Sequence, residues 1–496
     1  MTNTQEILQA PSLKIFSVQE IYRTANQLLD SYQQKQDPQV KADFNKLTDH
    51  LKAELSGKEA YPLAVLMECY MLNIESNHAN WNSVSRHKQL SLLSTLYTDF
   101  EGRVPPAIWN QICIDYATGL RNTGRAFESI QILENLTKIP DDPSYHRKKP
   151  EIGWTLVFMA RYLQEPSDKG ICLYTARNHL KDYIQDEPNE SLRPLYTHYL
   201  EMADSLYGQL GIKDVTITPM GNPFKGKEKR YRDWCKTEQL LLNVSNDIDK
   251  ATAIPVDTFN YWHSDAQDMR GRALEHFFNS MTQEFLALRS LLYETAKHDP
   301  SNPHFGDAPF HQPDSLYVYS ARNEYLKSVY RMAYSLFDKI AYFLKQYFQL
   351  EMPNSKATLQ YIWFIDENPR KPLKPVFRNS QNDALKALYW LSRDLYGYER
   401  EGEAASFFKK AGHIRNMLEH SYVQITQEKE LFASQESGIR LDFSSFKSQI
   451  DDFQSHHLSQ DELEQLTHAL AKSARNALLY LRFVLDLDHQ REESEG

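Results

Sequence analysis

The chain has 496 residues, of which 41% are hydrophobic and 25% charged, and its formal net charge is −10. That length has room for two or three domains with real cores, and the ordinary composition excludes wholesale disorder and a membrane-embedded protein. The acidic balance excludes a generic polyanion binder, so any contact with nucleic acid has to be local.

Only 17 glycines are present among abundant Leu, Ala, Gln, Glu and Lys, so the expected fold class is all-α. The four cysteines, Cys69, Cys113, Cys172 and Cys235, are too far apart for a metal knuckle or a Cys-x-x-Cys motif and read as thiols of a reducing compartment. Residues 1–12 lack the basic region and apolar run of a secretory signal. No apolar stretch approaches the ~20 residues of a membrane-spanning helix. The expectation is a cytoplasmic protein with no membrane partner.

Residues 1–212 read as consecutive amphipathic helices. Pro105 opens one, and Trp109, Ile112, Cys113, Tyr116 and Leu120 recur on one stripe. Gly124 suits a left-handed C-terminal position. A second helix follows with Phe127, Ile130, Ile132, Leu133 and Leu136. This pair spans about 34 residues, the tetratricopeptide helix–turn–helix unit. Looser pairs occupy 64–100, 154–183 and 192–210. The expectation is a TPR-like α-solenoid, a concave surface suited to a protein partner or regulator rather than to chemistry; an irregular helical bundle is the plainer reading.

Residues 213–260 interrupt the pattern with Pro219, Gly221, Pro223, Gly226 and Pro255. Basic residues including Lys227, Arg230 and Arg232 alternate there with Phe224, Tyr231 and Trp234. Cations beside stacking rings suit single-stranded nucleic acid; an interdomain connector pinned to the solenoid by its aromatics is the plainer reading.

Over 261–490 the periodicity predicts helices at 266–298, 315–350, 381–398 and 402–424. A last helix starts at Ser459, and residues 491–496 form a disordered tail. Five long amphipathic helices can close a bundle. The basic loop before the third helix carries Arg370, Lys371 and Arg378, as a grip for RNA phosphates or as a stiff connector. No Gly-rich phosphate loop, His-Glu-x-x-His or Gly-x-Ser-x-Gly occurs. No cofactor is called for, and no metal site.

One constellation carries chemistry: Arg415-Asn416-Met417-Leu418-Glu419-His420. Its spacing alone is weak, since Arg193…His198 and Arg270…His276 match as well. Its context is stronger. Phe407, Ala411, Ile414 and Leu418 form a core stripe, and at about 100° per residue Arg415, Asn416 and His420 share the opposite, polar surface. A histidine can move the 2′-OH or 5′-oxygen proton, an arginine can clamp a phosphate with two hydrogen bonds, and an amide can orient either.

The segment resembles the Arg-polar-x-x-x-His signature of HEPN domains, and the chain order resembles a bacterial HEPN family with TPR-like helices in front. Tyr231-Arg-Asp-Trp-Cys235, Leu240–Asp247 and Leu336–Phe343 resemble that family too. The resemblance implies a homodimeric, metal-independent endoribonuclease with catalytic Arg415, Asn416 and His420, leaving a 2′,3′-cyclic phosphate, of the kind that acts as a toxin or anti-phage effector. Tyr422, two residues past His420, resembles the tyrosine that a partner enzyme adenylates in some HEPN toxins; a packing aromatic is the plainer account. Asp338 can orient the catalytic face or form a helix-surface ion pair. The competing reading is a non-catalytic scaffold whose C-terminal bundle only binds or dimerises.

Overall fold

The computed structural model describes residues 4–56, 61–76, 81, 83–138, 143–185, 190–211, 222–249, 253–259, 269–297, 320–396, 414, 418, 423–426 and 456–495. The chain divides into two compact units, one built from residues 1–215 and 398–407, the other from 216–397 and 408–496.

The first unit is a row of antiparallel helices, consistent with a helical solenoid. In order they are α1 (Val18–Lys35), α2 (Pro38–Leu55), α3 (Tyr61–Glu75), α4 (Val84–Asp99), α5 (Pro106–Asn122), α6 (Ala126–Glu134), α7 (Lys148–Met159), α8 (Pro166–Gln185) and α9 (Arg193–Gln209). The first is started by Ser17, whose hydroxyl accepts from the Glu20 amide while the Glu20 carboxylate accepts from the Ser17 amide, a reciprocal cap. The α5–α6 turn forms as the sequence suggests. Gly124 has φ +89°, its amide donates to Arg121 O at 2.9 Å, and the Arg125 amide donates to Leu120 O at 3.0 Å. This is the Schellman arrangement that glycine allows at no steric cost. Gly153 serves packing instead: a Cβ there would lie 3.0 Å from Leu180 Cγ and 3.1 Å from Ala176 O, so its absence lets α7 and α8 approach.

A charged network lies under this unit's surface. Arg121 and Glu151, with side chains 1% and 2% exposed, pair at 2.9 Å. Tyr196 Oη donates to Glu151 Oε1 at 2.8 Å, Arg147 adds a bond at 3.0 Å, and the Arg121 guanidinium lies 3.4 Å over the Trp154 ring. Burial favours protonated Glu151, but the two arginines and Tyr196 outweigh it and hold its pKa below the ordinary value. Three helices, α5, α7 and α9, are thereby tied together. Beside them, half-buried Asp115 accepts from Tyr70 Oη at 2.7 Å and from Gln111 at 3.0 Å. There burial wins, and the Asp115 carboxyl is pushed up to about 6.

The second unit is a bundle of α11 (Met269–Ala296), α12 (Ala321–Tyr347), α13 (Asp383–Tyr396) and α14 (Gln460–Glu495). Along α12, Leu326, Val329, Ala333, Leu336, Ile340 and Phe343 are all buried, the stripe that the 3.6-residue period marks. Ser459 Oγ accepts from the Glu462 amide at 3.1 Å and starts α14. Two differences from the expected pattern appear. The helix expected over 402–424 does not reach 424: Val423–Thr426 is a strand, β1, paired in parallel with β2 (His456–Ser459). Val423 and Ile425 are buried with Leu458, so β-branched alternation decides the local structure.

The second difference concerns 213–260. Over its described residues this segment folds into the second unit, with a helix of its own, α10 (Gly226–Thr237). Its aromatics pack on that unit, Tyr231 and Trp234 lying 5.0 and 5.1 Å from Tyr293 of α11. Two buried arginines hold it. Arg289 grips Asp257 with two bonds, 2.7 and 2.8 Å, and donates to Leu240 O. Arg475 of α14 donates to Leu241 O, Asn243 O and Asp247 Oδ2 at 2.9, 2.7 and 2.6 Å. Burial raises the Asp257 pKa, and Arg289 and the Leu242 amide bring it below the ordinary value.

Two predictions follow from these networks. Arg475→Ala leaves the Asp247 carboxylate buried without its partner and is expected to destabilise the second unit by about 3–5 kcal/mol, read by urea unfolding. Asp115 binds its proton more tightly when folded, so its contribution to stability is largest at low pH and is lost as pH rises from about 4 to about 6. The stability of wild type relative to Asp115→Asn is expected to fall as pH rises across that window, measured as thermal midpoints; a relative stability independent of pH would refute it.

Candidate nucleic-acid and catalytic surface on the helical bundle

The site is built along one side of α12. Half-buried Arg331, buried Tyr334 and half-buried Asp338 succeed one another there at helical spacing. The half-buried Arg331 donates through Nη2 to the carbonyl oxygen of Leu418 at 2.8 Å. Leu418 and Ile414 are 6% and 1% exposed, and their four-residue spacing matches the stripe expected for the 402–424 helix. Arg415, Asn416, His420 and Tyr422 lie outside the described residues. Their flanks do not: Leu418 is held by Arg331 and the core, and Val423 is held in β1. Four residues separate these two anchors in the sequence.

Asp338 faces α13. Its Oδ1 accepts from Tyr396 Oη at 3.4 Å, and the Tyr396 ring meets Tyr334 edge-on at 5.9 Å. Against α13 its contact is thus a tyrosine hydroxyl. The competing Arg-x-His matches are resolved by their surroundings. Arg270 donates to Gln346 O and Tyr347 O at 2.6 and 2.8 Å, capping the C-terminal end of α12. Arg193 belongs to the first unit.

The basic candidates separate into two groups. Lys227 and Arg230 of α10 are exposed, whereas Arg232 is tied to Glu228 at 2.8 Å and to Asp257 at 3.5 Å, with its guanidinium 5.2 Å over Phe224. Arg370, Lys371 and Arg378 are also exposed, on a loop that is tightly built. Ile365 N donates to Pro372 O, and Lys374 N to Trp363 O, at 3.0 and 2.8 Å. Lys374 Nζ reaches Ile362 O, Phe364 O and Glu367 Oε1 at 3.2, 2.6 and 3.2 Å. Asp366 and Glu367 both have positive φ, 54° and 48°, a conformation that costs about 1–2 kcal/mol per residue without a compensating contact.

Helix α12 measures how far these groups are from Leu418. Arg331 contacts Leu418, while Phe348, just past the C-terminal end of α12, packs on Phe377 at 5.6 Å. At 1.5 Å per residue those points are roughly 25 Å apart. The 364–378 loop therefore lies at the far end of the bundle from the Leu418 anchor. By contrast, α10 packs on the C-terminal half of α11, whose Thr295 carbonyl accepts from Arg322 at the start of α12, the end nearer Arg331. Periodicity in the sequence missed Arg331, Lys374 and Tyr396, because each acts through a contact distant along the chain; the half-polar face of α12 was the available signal.

This largely helical unit, closed around α12 and α14, carries a family match: residues 266–488 fit the family described as LA2681-like HEPN. No curated protein and no solved structure matches the chain. The matched stretch contains the Arg415–His420 segment and ends within α14, while α10 and the residues bonded to Arg289 and Arg475 precede it.

Replacing Lys374 by Met removes the three side-chain bonds that Lys374 makes across the 362–374 loop and leaves its main-chain bonds. The expected result is faster amide exchange at Ile365 and Lys374 with unchanged exchange in the core of α12; equal acceleration in both would refute a local role.

Proposed function

We propose that the protein is a metal-independent endoribonuclease of the HEPN type. Arg415 clamps the scissile phosphate, His420 moves the proton, and Asn416 orients one of them. The 2′-oxygen attacks the adjacent phosphorus, forming the P–O2′ bond and breaking the P–O5′ bond. The 2′-OH proton leaves to a base and the departing 5′-oxygen takes one up. The products are a 2′,3′-cyclic phosphate and a 5′-hydroxyl. A positioned histidine and a bidentate arginine supply these transfers and the charge stabilisation.

The observation that carries this reading is the HEPN match over a stretch that includes Arg415–His420, with Ile414 and Leu418 buried. A HEPN domain supports a nuclease or RNA-related role; the remaining elements belong to the proposal. The domain pairs with a second copy to complete the cleft, the helices of residues 1–215 receive a protein partner or trigger, and the protein acts in the cytoplasm as a toxin or anti-phage effector. Exposed Lys227 and Arg230 would contact RNA near the cut, and Arg370, Lys371 and Arg378 RNA farther away.

The test is incubation of the purified protein with total RNA and with tRNA in excess EDTA, beside His420→Ala. Cleavage by wild type with cyclic-phosphate ends, reduced at least 100-fold in the variant, is the expected outcome. Equal cleavage by both proteins, or intact RNA in both, would return the bundle to a binding role.

A further inference from the structure

The exposed cations of α10 stand beside aromatic rings. Lys227, Arg230 and Trp234 follow one another at i, i+3 and i+7, so they share one side of the helix. Lys227 and Arg230 are exposed, and Trp234 is half-buried. At 1.5 Å per residue the three succeed one another by roughly 4.5 and 6 Å along the axis, within the reach of one or two nucleotides. Both acids of α10 are engaged in pairs of their own, Glu228 with Arg232 and Asp233 with Lys229. The Trp234 ring is backed by Tyr293 of α11 at 5.1 Å and meets His468 of α14 edge-on at 6.5 Å. One turn past Tyr293, exposed Lys297 places its Nζ 3.8 Å over the Tyr293 ring. A cation stripe and a ring held by its neighbours thus lie on one surface, all from described residues. The basic 364–378 loop is built differently: Trp363, Phe364 and Phe377 are all sealed in the core.

We infer that this α10–α11 surface selects unpaired RNA, with Lys227 and Arg230 on successive phosphates and the Trp234 ring stacked on a base between them. Cations alone hold a duplex as well as a single strand, because both carry phosphates. A ring adds a contact that only an unstacked base can meet, and it accepts any base because every base has a π face. A ring already fixed by its packing loses little freedom when a base settles on it. The inference rests on the RNA reading for its ligand and names the substrate class, but binding is measured without cleavage.

The experiment uses the full-length chain and a fluorescein-labelled 2′-O-methyl RNA of about 12 nucleotides, in which the methyl group blocks attack by the 2′-oxygen. The strand is presented single, annealed to its complement, and with a central run of abasic sites, each at several salt concentrations. Three variants are compared with the parent: Lys227→Gln with Arg230→Gln, Trp234→Leu, and Trp234→Phe. Thermal midpoints check that each is folded.

The parent is expected to bind the single strand roughly 10-fold or more tightly than the duplex or the abasic strand. Trp234→Leu loses that preference, and Trp234→Phe keeps most of it. The double Gln variant weakens binding of all three probes and lowers the slope of log affinity against log salt by about one to two. Equal binding of duplex and single strand by the parent overturns the inference, as does full preference in a folded Trp234→Leu, or no binding by the parent. Should Trp234→Leu not fold, the surface pair and the abasic strand decide: unchanged affinity in the Gln variant, or an abasic strand bound as tightly as the intact one, overturns it. Cleavage of unmodified RNA separates the two claims. Binding in this pattern without any cutting removes the nuclease reading alone; cutting with an unchanged KM in the Gln variant removes the α10–α11 surface alone.

Discussion

The HEPN unit depends on one buried ion pair. Arg475 and Asp247 are both 0% exposed and meet at 2.6 Å, although 228 residues separate them in the chain. Such a pair adds little net stability, because desolvating two charges offsets most of their attraction. Its effect is on specificity. Apolar stripes on α11, α12 and α14 adhere in many registers, but Arg475 also donates to the carbonyls of Leu241 and Asn243, and only one placement of the 240–249 segment satisfies them all. Arg289 repeats the device one helix away, on Asp257, Leu240 and Tyr231. The segment before the matched family boundary is therefore part of the domain's core.

The same helix links that core to the candidate site. Helix α14 begins at Ser459, the last residue of β2, and β2 pairs with β1 immediately after the segment that carries His420. Helix α12, packed on α14, reaches the other side of that segment through Arg331. The two anchors differ in kind. Leu418 is held by a charged side chain and by burial, whereas Val423 is held by backbone pairing, so they respond to different substitutions.

Local regularities were legible in the sequence. Ser459, Gly124 and the α12 stripe each follow from neighbours within four residues, and all stand where the pattern places them. The helical class and the HEPN resemblance were readable for the same reason. What escaped were contacts closed over long separations. Nothing near Arg475 announces Asp247, and nothing near Arg331 announces Leu418. The run around Lys227–Arg232 read as one basic patch, yet Arg232 faces Asp257, 25 residues on. The strand at Val423 had a signal in the alternation Val423-Gln-Ile-Thr426, overridden by the helical period just before it. Arg415, Asn416 and His420 were found by motif, and the structure describes their flanks, Ile414 and Leu418.

The distribution of charge bears on how such a protein would meet RNA. A net charge of −10 gives no long-range attraction to a polyanion, so affinity has to come from a few cations in contact, and salt would act on each of them. Several apparent candidates are already used within the fold: Arg232 by Glu228 and Asp257, Lys374 by two carbonyls and Glu367, Arg270 by the end of α12. The exposed remainder falls into two groups, Lys227 and Arg230 on α10 and Arg370, Lys371 and Arg378 on the 364–378 loop, at opposite ends of the bundle. A single phosphate spans neither group, while a chain of several nucleotides can touch both. An extended or folded RNA would therefore suit this surface better than a dinucleotide.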